Sequence, residues 1–293
     1  METKWLHTFL SAAKTENFRK TSELLFISQP TVSVHIKLLE AYLGCKLFEK
    51  QGRHIFLTEG GQRFLPYAKE MVDLDERGFE TIQRYKQGFE TTLKLAVSPL
   101  IATYSLPYIL RDYLSENPNV EVEVKVVESE VIEELVLSGV CDLGLSRMNG
   151  KFKDVTCQVV QEDPVLFVVP HDGMDLETAP GFDIDQLLQD NILLTQNHPE
   201  YWEPLLEQLR HLNYTFRSMM VSQVEVTKRF IEQGIGLSFL PRLTIRRELL
   251  EGRLLDVDFP GLSLPLAKTY ALYKRGKSEA SLFLHRMKQL YGT

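Results

Sequence analysis

Hydrophobic positions follow two rhythms in this chain, and the change falls near residue 90. Up to there the spacing is helical. Trp5, Leu6, Phe9, Leu10 and Ala13 recur on one face and predict a first amphipathic helix. Asn17 is placed to cap a second, shorter helix through Arg19–Leu25, and Phe26-Ile27 breaks the pattern. Ser28 then precedes Gln29-Pro30, a cap followed by proline in the first turn, where the missing N–H costs nothing. A third helix is expected from there to about Leu43, with Val32, Ile36 and Leu39 inward and Gly44 as its left-handed stop. Two short extended runs between Leu47 and Leu57 flank a turn at Gly52 and read as a β-hairpin. Thr58 caps a long helix from Glu59 to about Gly88. Its apolar stripe is Leu65, Ala68, Val72, Phe79 and Ile82, with a gap at Asp75. So narrow a stripe on so long a helix needs a partner surface, either its own domain or a second copy of the helix. Neither flanking segment looks able to cover it, which favours a dimer seam.

After Thr92 strands alternate with helices. Strands are expected at Leu93–Val97, Val120–Val127 and Cys141–Ser146, with helices through Leu106–Leu114 and Val131–Leu137 between them. That order implies a parallel sheet with right-handed crossovers. A second such series starts near Val165. It continues through Asn191–Thr195, a helix from about Tyr201 to His211, Phe216–Val221, a helix over Val224–Gln233, Leu237–Leu240 and more helix to Leu250. The strand Thr269–Tyr273 and a helix Glu279–Leu290 close the chain. The fold class is α/β, in three parts. Residues 1–58 form a winged helix-turn-helix, 59–89 a linker helix, and 90–293 two α/β lobes with a cleft between them. One lobe takes about 90–161 plus 268–293, the other about 162–267.

Charge sharpens this division. The whole chain carries −7, yet residues 1–60 hold eight Lys/Arg against six Asp/Glu. A weakly basic head on an acidic body suggests that only the head meets phosphate. Cys45, Cys141 and Cys157 form no CxxC pair and no cluster with metal spacing, so no metal site is expected and a reducing compartment is favoured. Met1-Glu2-Thr3-Lys4-Trp5 does not resemble a secretory signal, and apolar runs such as Val165–Pro170 are too short for a bilayer. A cytoplasmic protein with no membrane partner is expected.

In a helix-turn-helix the first turn of the second helix meets base edges in the major groove of double-stranded DNA. Ser28, Gln29, Pro30, Thr31 and Ser33 occupy that turn. Gln29 can reach adenine bidentately, and Thr31 and Ser33 can meet a thymine methyl group or exchange hydrogen bonds. His35 and Lys37 reach bases or phosphates one turn on, and Arg53 at the hairpin tip is placed as a wing contact to phosphate or the minor groove. The run Leu25-Phe26-Ile27-Ser28-Gln29-Pro30-Thr31-Val32-Ser33-Val34-His35-Ile36-Lys37-Leu38-Leu39-Glu40 resembles the recognition segment of LysR-type transcriptional regulators. Leu43-Gly44-Cys45-Lys46-Leu47-Phe48-Glu49 and Leu57-Thr58-Glu59-Gly60-Gly61 continue the resemblance over about 65 residues. It implies a homodimer or homotetramer built through the long helix, and a body like the periplasmic-binding-protein fold. Where the family often has basic residues this chain has Val34 and Leu38, which implies weaker phosphate anchoring and a shallower salt dependence.

The resemblance also places a small-molecule effector between the lobes, where strands end and helices begin. Carried onto this chain, one side offers Ser98, Pro99, Leu100, Glu128, Ser129 and Ser146. The other offers Thr195, Gln196, Asn197, His198, Ser222 and Gln223. Helix beginnings favour an anion, so a carboxylate metabolite is the expected ligand, with no cofactor. These short polar residues are equally suited to plain helix capping. Tyr201 and Trp202 fit a cleft wall and plain packing alike, and His198 before Pro199 could simply brace its loop. Thr195–Trp202 together with Lys228-Arg229-Phe230-Ile231 is similar to a subgroup that includes regulators of citrate synthase genes in Gram-positive bacteria. Rival readings are an enzyme or a solute-binding protein using the α/β body. Against the first, Gly144-Leu145-Ser146-Arg147-Met148 is no nucleophile elbow. Gly234-Ile235-Gly236 lacks a third glycine and precedes a strand, and neither HExxH nor a P-loop is found.

Overall fold

A computed structural model describes residues 1–51, 54–171, 183–274 and 278–291. They form two compact units that divide between Gly88 and Phe89. In the first unit α1 (Thr3–Thr15), α2 (Phe18–Leu24) and α3 (Gln29–Leu43) precede a hairpin of β1 (Phe48–Gln51) and β2 (His54–Leu57). The long α4 (Glu59–Lys86) follows. The caps fall where side-chain chemistry places them. Asn17 accepts from the Arg19 and Lys20 amides, Ser28 from Thr31, and Thr58 from Gly61. Gly44 turns left-handed, φ 70°, behind α3. The end of α2 is less ordinary, because Phe26 takes the left-handed position (φ 53°) that glycine usually fills.

Phe9, Ala12, Leu39, Leu47 and Ala68 are wholly buried in one core, which joins α1, α3, the hairpin and the first half of α4. Two contacts fasten the hairpin. Glu40, buried at the end of α3, accepts from the Leu47 amide at 2.9 Å and from Lys46 Nζ at 2.7 Å. The Thr58 hydroxyl donates to the Lys46 carbonyl at 2.6 Å. Gly61 packs so tightly here that a Cβ would lie 2.3 Å from the Leu47 carbonyl oxygen.

This core takes over part of the stripe on α4 that was expected as a dimer seam. Ala68 and Val72 belong to the unit's own interior and Leu65 packs half-buried against it. Phe79 and Ile82 stay exposed, and a shallow groove between α1 and α4 runs beside them. The head covers the first half of the stripe because the helix begins where the hairpin ends and must fold back along α1.

The second unit carries β3 (Thr91–Val97), α5 (Pro99–Tyr104), α6 (Leu106–Glu116), β4 (Val120–Val126), α7 (Ser129–Leu137), β5 (Leu143–Ser146) and β6 (Thr156–Pro170). It continues with α8 (Ile184–Asp190), β7 (Ile192–Thr195), α9 (Trp202–His211), β8 (Arg217–Met220), α10 (Val224–Glu232), β9 (Gly236–Pro241) and α11 (Arg242–Leu250). It ends with β10 (Leu254–Val257), β11 (Leu266–Tyr273) and α12 (Ser278–Tyr291). The sheet order is β4-β3-β5-β11-β6-β9-β7-β8, with β10 also on β6. β4-β3-β5 and β8-β7-β9 are parallel trios, one in each lobe.

The joining strands overturn part of the expected layout. No second parallel series starts at Val165. Instead β6 is one strand of 15 residues, antiparallel to β9, β10 and β11. β6 and β11 carry the chain from one lobe to the other, and their register slips between Thr269 and Tyr270. The polar run Gln161-Glu162-Asp163 hides this strand from a hydrophobic pattern, although Gln161 and Asp163 are buried and bonded. Ser105 Oγ donates to Gln161, and Asp163 accepts from the Leu243 amide at 3.0 Å. α5, α8 and β10 are likewise additions to the expected layout. Each lobe has a core on both sheet faces. Leu93, Leu95 and Val97 point to α6 and α12, while Ala96 points to α7. Phe167 and Phe239 pack against Trp202 and Phe259, and Leu194 and Leu240 against α10 and α11.

Candidate DNA-reading helix and ligand cleft

On the first unit, Gln29, Pro30 and Lys37 are exposed on α3, and Thr31 and Ser33 half-buried beside them. Val32, Ile36 and Leu39 take the inward face. The helix thus spends one face on the core and leaves the other, including Val34 and Leu38, exposed. Ser28 and Thr31 are partly occupied, since their hydroxyls pair at 2.8 Å. His35 turns toward α1, where its Nδ1 lies 2.9 Å from Thr8 Oγ1. Thr8 already donates to the Lys4 carbonyl, so the imidazole must be the donor in that pair and Nε2 is left as an acceptor. Burial and then the charge of Lys4 lower the His35 pKa, which keeps the ring neutral near pH 7. Arg53 lies outside the described residues.

On the second unit a cavity of about 440 Å³ opens between the lobes. Of the sequence-derived candidates, Ser98, Pro99, Leu100, Glu128 and Ser129 line it from one lobe, and Asn197, His198, Ser222 and Gln223 from the other. Ser146 and Thr195 do not line it. Ser146 Oγ accepts from the Met148 amide at its own strand end, and Thr195 Oγ1 donates to the Met219 carbonyl of the neighbouring β8. Among the lining residues several side chains are already spent on the protein. Ser129 Oγ accepts from the Arg147 amide at 3.1 Å. Asn197 is saturated, with Nδ2 donating to Ser238 and Thr227 and Oδ1 accepting from Trp202 Nε1 and Tyr201 Oη. Tyr201 and Trp202 are accordingly core residues that hold the loop and not the wall of the cleft.

Two buried side chains in the lining are not spent. Ser98 Oγ, at the start of α5, is buried with no hydrogen-bond partner among the described residues. His198 is buried, stacked on Tyr201 with centroids 4.4 Å apart. Its Nδ1 accepts from the Glu200 amide at 3.2 Å, which puts the proton on Nε2, and Nε2 has no partner among the described residues. Burial, and secondarily the guanidinium of Arg147, lower the His198 pKa to about 3. His198 therefore offers a neutral donor at any physiological pH. Gln196, between Asn197 and β7, sits in the left-handed region (φ 66°) on the same wall.

Sequence reasoning missed five lining residues that matter, one of them Glu130 in the first turn of α7. Arg147 follows Ser146 directly and supplies a buried cation, its Nη1 donating to the Lys268 carbonyl at 3.4 Å. Taking the strand end one residue further would have found it. Thr103 and Tyr104 lie on α5, which no periodicity announced. Glu225 stands in the first turn of α10. Tyr104 and Glu225 meet across the cleft in a hydrogen bond, and buried Lys228 bonds to Tyr104, to Glu248 at 2.8 Å and to the Thr244 carbonyl at 3.0 Å. No group of His, Cys, Asp and Glu among the described residues could hold a metal ion, and no described helix is long and apolar enough to cross a membrane.

Residues 3–62 match the bacterial regulatory helix-turn-helix protein model of the lysR family, and residues 86–290 match the LysR substrate binding domain. The chain is 44% identical over 284 residues to the HTH-type transcriptional regulator CitR of Bacillus subtilis, covering 96% of this chain and 97% of CitR. It is 36% identical to YxjO of the same organism, an uncharacterized HTH-type transcriptional regulator, with 97% and 96% covered. In fold it is similar to Vibrio fischeri DarR, crystallised with DNA, at TM-score 0.70, 22% identity and 99% of both chains. CbnR with its target DNA gives TM-score 0.65 and 19% identity, again with 99% of both chains covered. With a helix-turn-helix head and a two-lobed α/β body matched over nearly its whole length, the chain belongs to the LysR family of helix-turn-helix transcriptional regulators.

Proposed function

We propose that this regulator reads its operator with the exposed face of α3 and is switched by a small carboxylate held between the lobes of its body. On the DNA side, Gln29 contacts a base edge, Thr31 and Ser33 flank it, Lys37 and Arg53 anchor phosphate, and Ser28 and Pro30 set the angle of entry. DarR and CbnR were each crystallised with DNA, which supports a duplex partner for the head. A second copy of the chain pairs through the exposed part of α4, around Phe79 and Ile82, which gives two heads for two half-sites.

One observation carries the ligand reading. Ser98 Oγ and the Nε2–H of His198 are buried donors without a partner among the described residues, in the same cavity as the guanidinium of Arg147. Buried polar groups are otherwise almost always paired, so an acceptor-rich ligand group fits the place. The volume suits a small metabolite. The likeness to regulators of citrate synthase genes directs the first trials to carboxylates of central carbon metabolism. The test is thermal unfolding of the full chain with such carboxylates, in the wild type and in Ser98→Ala. A cleft ligand raises the melting temperature of the wild type and does so less in the variant, with operator affinity unchanged. A carboxylate that stabilises both equally places its site elsewhere.

A further inference from the structure

The charge around the cleft is lopsided, and the two spare donors do not account for it. Glu128, Glu130 and Glu225 line the cavity, against Arg147 as its one cationic side chain among the described residues. His198 adds a neutral donor only. Lys228 does not restore the balance, because its ammonium is buried behind Tyr104 and held by Glu248 at 2.8 Å. Glu225 is partly answered, by Lys228 at 3.3 Å and by the Tyr104 hydroxyl. Glu128 and Glu130 have no hydrogen bond or ion pair from their side chains among the described residues. Both flank Ser129, whose hydroxyl holds the Arg147 amide, so the free carboxylates and the guanidinium sit on adjoining chain segments.

A ligand that fills this space meets donors for an anionic group and, close by, unanswered carboxylates. We infer that the cleft selects an amino-carboxylate zwitterion and disfavours di- and tricarboxylates. Its carboxylate would take Ser98, His198 and Arg147, and its ammonium would lie toward Glu128 and Glu130. A second carboxylate on the ligand would instead face like charges, which repel it. This inference rests on the cleft reading proposed above and narrows it.

A matched straight-chain series tests it. Each carbon skeleton is offered to the full chain as the amino acid, the plain monocarboxylate and the dicarboxylate, at millimolar concentration, with melting temperature and calorimetric Kd as readouts. The wild type should bind the amino acid tightest, with the dicarboxylate of the same length at least about tenfold weaker. Glu128→Gln/Glu130→Gln changes exposed side chains, and it should close that gap by weakening the amino acid and admitting the dicarboxylate. A wild type that binds dicarboxylates as well as amino acids overturns the inference, as does an unchanged order in the double variant. If no member binds, or if binding ignores Ser98→Ala, the cleft reading itself fails.

Discussion

The candidate reading helix and the candidate cleft would present function to the outside in opposite ways. On α3 the candidate residues lie on consecutive turns of one helix, exposed or half-buried, with Val32, Ile36 and Leu39 carrying stability on the other face. The cleft draws its lining from five separate stretches, around 98–104, 128–130, 147, 196–199 and 222–225, and several of those side chains are buried. Stability and the proposed function are thus separable on α3 and entangled in the cleft. A change to the solvated face of α3 should alter binding alone, while a change at Asn197 or His198 disturbs a core and a site together.

The largest expected effect breaks the head from inside. Leu39 is completely buried, so Leu39→Ala should cost about 2–5 kcal/mol. Urea unfolding followed by circular dichroism measures it, and a cost near that of an exposed α3 residue would contradict the division of the helix into two faces.

The next probes the entanglement of the cleft through pH. His198 has a folded pKa lowered to about 3 against an ordinary value of 6.5, so the unfolded chain binds the proton more readily. The neutral ring's contribution is fully present above about pH 6.5 and is lost as pH falls toward 3. Between pH 7 and pH 5 that is about 2 kcal/mol. Trp5→Phe leaves Trp202 as the single tryptophan, so its emission reports urea unfolding of the body. His198→Gln in that background should flatten the pH dependence; an equal slope in both proteins would mean the ring is not buried neutral.

A smaller change sharpens the contrast by adding to the solvated face. Val34 is 51% exposed on α3. Val34→Arg should leave stability within about 0.5 kcal/mol. It should also steepen the dependence of log K on log salt by about 1, through one more phosphate contact. An unchanged slope would place residue 34 away from the DNA backbone.

The same contrast explains what the sequence made readable. Asn17, Ser28, Gly44 and Thr58 act on amides or dihedral angles within a few residues, so α1 to α4 could be placed closely from local chemistry. The α/β alternation showed the lobes for the same reason. What stayed hidden depends on distant chain. Gln161 and Asp163 look like a loop until Ser105 and the Leu243 amide are brought to them, so β6 was cut short. Asn197 looks like a ligand contact until Trp202 and Ser238 take its amide. Leu65, Ala68 and Val72 look like a seam until α1 folds over them. Arg147 and Tyr104 gain meaning only from the opposite lobe.

The most direct test of the account is the affinity of the full chain for DNA from upstream of its own gene and for unrelated DNA, at one salt concentration, in the wild type and in Gln29→Ala. The account predicts that the variant keeps its fold and its affinity for unrelated DNA, and loses about 1–3 kcal/mol of preference for its operator. A preference that survives the substitution intact would show that the start of α3 does not read the sequence.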